Sequence, residues 1–276
     1  MIQIGCTSFK EHTYLTGKKE SSLFEYAAFF PLVEMDTSFY AIPKQTYVKE
    51  WLKQVPERFQ FIMKLPKVFT KHEELTEGGS LKEIAQELLE SLKPMIEQGN
   101  LFCLLAQFPP YFDCRRENVD YLRILRQLFP QMPIAIELRN NSWYDSAFLA
   151  QTRAFMQEQN FSLVIVDEPK KLSTTIPFDT YVTNSSFVFF RFHGRNDIGW
   201  NATGPDAKRL RTNYRYSQEE LKELQEAVAS VKEQSKQVAI IFNNNAGGDA
   251  AENALQFKDL LQLDFENLNP SQLGLF

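Results

Sequence analysis

Three short runs carry most of the chemistry in this chain. Ile134-Ala135-Ile136 leads into Glu137, Leu138 and Arg139, Phe187 to Phe190 leads into Arg191, Phe192 and His193, and Phe161 to Val166 ends at Asp167. In each, an apolar run delivers a carboxylate, a guanidinium or an imidazole to its end. Such groups are costly to bury unpaired, so they satisfy one another or are in use. Two chemistries follow. Glu137, Asp167 and His193 make an acid/base set, with His193 kept neutral by the flanking Arg191 and Arg195. Lys64, Arg139 and Arg191 make a cationic clamp for a phosphate or carboxylate. The acid/base set also has the ligand types of a divalent-metal site. Against a metal, Asn243 stands where a fourth carboxylate is wanted, and Arg139 and Arg191 would repel the ion. A metal is therefore not favoured, and no cofactor is expected.

The elements that must hold these groups alternate. Apolar runs over Ile2–Cys6, Leu32–Asp36, Phe59–Lys64, Leu101–Gln107, Pro133–Glu137, Phe161–Val166, Phe187–Phe192 and Val238–Phe242 read as eight strands. Helical patterns follow most of them, with capping boxes at Ser80/Glu83 and Ser217/Glu220 and a similar start at Asp249/Glu252. Pro94 predicts a break or kink near Lys93 in the helix that begins at Leu81. The segment 168–186 has no helical period and reads as an irregular sixth crossover, and a long polar loop runs from His193 to Tyr216. Eight such units predict a TM-spanless α/β chain closing as a TIM (β/α)8 barrel over 1–266, followed by a tail over 267–276. An open doubly wound sheet is the alternative, but Ile4-Gly5-Cys6-Thr7-Ser8 lacks its Gly-rich phosphate turn. In a barrel the site lies at the carboxyl ends of the strands. Those ends hold Thr7, Asp36, Tyr40, Lys64, Gln107, Glu137, Arg139, Asp167, Arg191, His193, Asn243 and Asn244. Glu34 shares the direction of Asp36, two residues on, and is a candidate ion-pair partner of Lys64 or Arg191.

Bulk properties set the outer limits. The 276 residues suit one such barrel, which needs about 250. A formal net charge of -5 argues against a general nucleic-acid coat while allowing a local basic patch. Three cysteines without a Cys-x-x-Cys spacing read as reduced thiols, and no apolar stretch approaches the roughly 18 residues needed to span a bilayer. With no signal peptide recognisable at Met1-Ile2-Gln3-Ile4-Gly5, a cytoplasmic location without membrane partners is expected.

The strand ends also resemble a known family. Ile4-Gly5, Glu34-Met35-Asp36-Thr37-Ser38-Phe39-Tyr40, Lys64 with Thr70 and His72, and Gln107-Phe108-Pro109 carry the likeness in the first half. Glu137-Leu138-Arg139 with Ser142-Trp143, Asp167, Arg191-Phe192-His193-Gly194, Tyr214, Phe242-Asn243-Asn244 and Ala254 carry it in the second. Together they resemble the domain-of-unknown-function family 72, across nearly the whole chain. The likeness implies an α/β barrel and a pocket at these ends, and implies no reaction. Two positions depart from the family pattern: Phe9 stands near a usual Trp, and Asp36 stands where Asn is common.

Two functional readings follow. In the first, the protein is an enzyme acting on a small anionic substrate, with Glu137, His193 and Asp167 moving protons. Lys64, Arg139, Arg191, Asp36, Tyr40, Gln107, Asn243 and Asn244 would line the binding site. In the second, it is a nucleic-acid-associated factor. The tail Gln272-Leu273-Gly274-Leu275-Phe276 looks like a motif by which bacterial proteins dock on the replication sliding clamp, with Gln272, Leu273, Leu275 and Phe276 as contacts. The loop from Arg195 to Tyr216 adds Lys208, Arg209, Arg211 and Arg215 with Trp200, Tyr214 and Tyr216, a mixture suited to phosphates and stacked bases.

Overall fold

A computed structural model describes residues 1–170, 172 and 174–271, apart from the side chain of Lys208. The tail positions Gln272, Leu273, Leu275 and Phe276 lie outside the described residues. The strands are β1 (Ile2–Thr7), β2 (Leu32–Met35), β3 (Gln60–Lys64), β4 (Leu101–Gln107), β5 (Ile134–Glu137), β6 (Phe161–Leu163), β7 (Ile165–Asp167), β8 (Phe187–Phe192) and β9 (Gln237–Phe242). All pair in parallel in the order β6-β5-β4-β3-β2-β1-β9-β8-β7.

The two ends of that order are one run of chain. β6 and β7 are separated only by Val164, whose N–H still bonds Ile136 O at 2.9 Å. β6 pairs with β5 and β7 with β8, so the sixth strand of the expected barrel is split and each half serves one neighbour. The α/β barrel is therefore present, with helices Gln45–Leu52, Leu81–Glu97, Arg116–Leu128, Leu149–Glu158, Gln218–Val231 and Ala250–Leu260 outside it. Among the described residues of 168–186 there is no helix, and the loop after β8 carries short turns at Asp197–Trp200 and Ala207–Arg211. No helix among the described residues is long and apolar enough to cross a membrane.

Of the break or kink expected at Pro94, no break occurs. The helix runs through it from Leu81 to Glu97. A proline leaves the carbonyl four residues back without its donor. Gln45 Nε2 supplies that donor, bonding Glu90 O at 2.7 Å. Asp249 likewise makes no capping bond; its carboxylate faces Arg215 at 3.6 Å, whereas Ser217 and Glu220 form a full capping box.

Alternation along the strands sorts the core into two faces. Ile4, Val33, Phe61, Leu104, Ile134, Phe190 and Ile240 face the helices. Leu32, Ile62, Leu105, Ala135, Val166, Phe189 and Ile241 form a separate cluster that fills the barrel. Gly5 sits where β1 crowds β2: a β-carbon there would lie 2.0 Å from Leu32 O. The amino end of the barrel is stitched by Asn269. Its N–H bonds Ala27 O at 3.1 Å, and its Nδ2 bonds Phe24 O at 3.0 Å and Gln54 O at 2.7 Å.

Candidate functional site

Two residues beyond each member of the inner cluster, the same face turns polar. Leu32 is followed by Glu34, Ile62 by Lys64, Leu105 by Gln107 and Ala135 by Glu137. Val166 is followed by Glu168, Phe189 by Arg191 and Ile241 by Asn243. Because strand side chains alternate with period two, these groups must form one layer above the apolar fill.

Arg191 is the centre of that layer and is only 1 % exposed. Its Nε and Nη2 grip Glu34 at 2.8 and 2.6 Å, and its Nη1 bonds Glu137 and, at 3.3 Å, Gln107 Oε1. Thr7 Oγ1 adds a bond to Glu34 at 3.2 Å. Arg139 lies above. Its Nε bonds Glu137 at 2.5 Å, its Nη1 bonds Glu168 at 2.9 Å, and its Nη2 meets His193 Nε2 at 3.1 Å. Burial alone would raise the Glu137 carboxyl, but Arg139 and Arg191 outweigh it and hold the group well below the usual carboxylate range. Glu168 has less help. Burial pushes it up to about 7 despite Arg139, and its Oε1 accepts the Ile176 N–H at 2.6 Å.

His193 is neutral. Burial and then Arg139 lower its pKa to about 3, against the opposing pull of Glu137. Its Nε2 lies 3.1 Å from Arg139 Nη2 and 3.4 Å from Glu137 Oε1, and its Nδ1 lies 2.7 Å from the amide nitrogen of Asn243.

These groups floor a cavity of about 1070 Å³. Lys64, Asp36, Gln107, Arg139, Glu168, Arg191, His193 and Asn243 line it, with Tyr40, Trp200, Arg209, Arg211 and the 245–248 turn toward its mouth. The Trp200 ring stands 5.4 Å from the Arg139 guanidinium carbon. Tyr40 is 61 % exposed at the rim.

Several sequence-based assignments change. Asp167 does not line the cavity. Val166 points inward, so Asp167 points outward, where Arg195 holds it with bonds of 2.9 to 3.0 Å and Tyr216 donates to it at 2.7 Å. Asn244 is turned away for the same reason: Asn243 faces inward, and Asn244 donates to Tyr214 O and Asn253 Oδ1, both at 2.9 Å. Glu137 sits beneath Arg139 and Arg191, with no exposed surface. The proposed metal trio is thus not brought together, and no group of three or more His, Cys, Asp or Glu that could hold a metal is found among the described residues. Glu168 joins the floor from a segment without helical period, and the alternation Val164, Val166, Glu168 is the signal in the sequence that places it there.

The loop after β8 commits several of its basic and aromatic residues to the barrel. Arg195 is committed to Asp167, and Arg215 pairs with Glu252. Tyr214 donates to Glu220 at 2.6 Å, and Tyr216 is buried against Phe192 and Phe242. Gly194, at φ 91°, lets Tyr214 pack on the turn after His193: a β-carbon there would be 2.4 Å from Tyr214 Cβ.

Comparison with known proteins agrees with this architecture. The chain is 38% identical over 282 residues to the UPF0759 protein YunF of Bacillus subtilis strain 168, covering 100% of both chains. It is 27% identical over 148 residues to the UPF0759 protein YecE of Escherichia coli K12, covering 53% of this chain and 52% of that one. A crystal structure of a DUF72 family protein from Enterococcus faecalis V583 matches with a TM-score of 0.95 at 51% identity, covering 99% of this chain and 100% of the other. A second, from Thermotoga maritima MSB8, matches at 0.80 and 32% identity, covering 95% and 100%. The family model described as "Protein of unknown function DUF72" matches residues 3–273, and the chain belongs to that family.

Proposed function

We propose that the protein is an enzyme that binds a small anionic substrate, phosphorylated or carboxylated, at the carboxyl ends of the strands. One observation carries the reading: Arg139, at the pocket floor, keeps donors to spare. Its three contacts engage one hydrogen on each nitrogen, leaving one N–H on Nη1 and one on Nη2 uncommitted. Such a pair suits a carboxylate or phosphate. Arg191 commits four of its five N–H groups to Glu34, Glu137 and Gln107, so its role is chiefly to hold the floor, whereas Arg139 keeps two for a ligand. Proton transfer falls to Glu168, whose pKa of about 7 suits both giving and taking a proton at neutral pH. The test is a thermal-shift titration with inorganic phosphate and acetate. The native protein is expected to gain stability with either anion and Arg139→Gln to gain none, with circular dichroism checking the variant's fold. No shift in the native protein, or an equal shift in the variant, would sink the reading.

A second reading, docking of the tail on a bacterial sliding clamp, has one supporting observation. Asn269, three residues before Gln272, is tied to residues that precede β2 and β3, at the end of the barrel opposite the pocket. Surface plasmon resonance on immobilised clamp, comparing the full chain with one ending at Pro270, tests it. Equal binding by the two rules it out.

A further inference from the structure

We infer that the pocket takes a polyhydroxylated carboxylate, a sugar acid in chemical class, with its carboxylate on Arg139 and a hydroxyl shared by Lys64 and Asp36. The inference rests on the anion site proposed above and narrows it. Among the described residues Lys64 is the one buried lysine, at 8 % exposure. Its ammonium stands 4.6 Å from the centre of the Phe39 ring and 3.5 Å from Asp36 Oδ1, and it donates no hydrogen bond. Asp36 Oδ1 is itself buried without a hydrogen-bond partner. Elsewhere on the floor the arginine–carboxylate pairs are closed by bonds of 2.9 Å or less. A donor and an acceptor left open side by side, in a site otherwise satisfied, are the mark of an absent ligand group.

The chemistry of that group follows from the pair. A second carboxylate or phosphate oxygen would suit Lys64 but be repelled by Asp36. A ligand ammonium would suit Asp36 but be repelled by Lys64. A hydroxyl answers both, accepting from the ammonium and donating to the carboxylate. More open polar ends face the same cavity. The Oε1 of Gln107 is engaged by Arg191, which leaves its amide nitrogen uncommitted. The amide nitrogen of Asn243 is engaged by His193 Nδ1 at 2.7 Å, which leaves its carbonyl oxygen as an acceptor. Together they offer a donor and an acceptor for further hydroxyls, while the face of Trp200 offers a surface for the C–H side of a sugar chain.

Calorimetric titration with gluconate, hexanoate and sorbitol tests this. Hexanoate keeps the carboxylate and chain length without hydroxyls; sorbitol keeps the hydroxyls without the charge. Gluconate is expected to bind at least about tenfold more tightly than either, the scale of one charge-assisted hydrogen bond. In Asp36→Ala and in Lys64→Met the gluconate-to-hexanoate ratio is expected to fall toward one. Equal binding of gluconate and hexanoate, or an unchanged ratio in both variants, overturns the hydroxyl assignment and leaves the anion site standing. Sorbitol binding as tightly as gluconate overturns the anion reading. Absence of binding by either carboxylate overturns both.

Discussion

Replacing Arg191 with Met probes the layer on which the site is built. The guanidinium makes two bonds to Glu34, one to Glu137 and one to Gln107, all within the barrel. Glu137 would keep Arg139 at 2.5 Å. Glu34 would keep only the Thr7 hydroxyl at 3.2 Å. The variant therefore leaves one buried carboxylate without its counter-charge, a defect that costs about 3–5 kcal/mol. For a chain of this size that corresponds to a fall in Tm of roughly 10 °C. The same logic predicts a rescue. In Glu34→Gln/Arg191→Met the orphan charge is gone, and the double variant should regain at least half of the loss, because removing both members of a buried pair is far cheaper than removing one. Thermal and urea unfolding followed by circular dichroism provide the readout. A single variant within about 1 kcal/mol of the native protein, or a double variant no more stable than the single, refutes the reasoning, since a real orphan charge would cost several times more.

Glu168→Gln should change the pH dependence of stability. The folded pKa of about 7 lies above the ordinary 4.5, so the native state holds a proton that the unfolded chain has released between those values. Glu168 therefore makes stability decline as pH rises from 4.5 to 7, and urea midpoints of the Gln variant should lose that decline. An identical slope in both proteins would contradict the assignment. His193, with its pKa lowered to about 3, should remain neutral from pH 5 to 8 in nitrogen-15 NMR spectra; titration near its ordinary 6.5 would contradict this. Gly194→Ala places a β-carbon 2.4 Å from that of Tyr214 at φ 91°, and should cost about 2 kcal/mol or more, read as a lower Tm.

The repeat of apolar strand and amphipathic helix made the barrel legible, and the ends of its strands pointed to the correct end of it. What was not legible is which of two adjacent polar residues turns inward. Asp167 and Asn244 looked as suitable as Glu168 and Asn243, and only the phase set by Val166 and Ile241 separates them. Pairing was the second blind spot. A sequence offers both Arg191 and Arg139 as partners of Glu137, but does not show that the first commits four of its five N–H groups and the second only three. The split sixth strand and the Gln45 bond that carries a helix through Pro94 depend on contacts far apart in the chain, which no local pattern encodes.

The position of β1 between β2 and β9 has a consequence for synthesis. One edge of β1 meets β2, but the other meets Gln237–Phe242, near the end of the chain. At about 5–20 residues per second, the ribosome needs roughly 12–50 s to go from the first strand to the ninth. Throughout that time a nascent parallel sheet presents an unsatisfied edge. The stitches made by Asn269 to Ala27, Phe24 and Gln54 arrive later still. The barrel therefore cannot close on the growing chain, and the outer edge of β1 must be shielded, or remain unpaired, until almost all of the polypeptide has emerged.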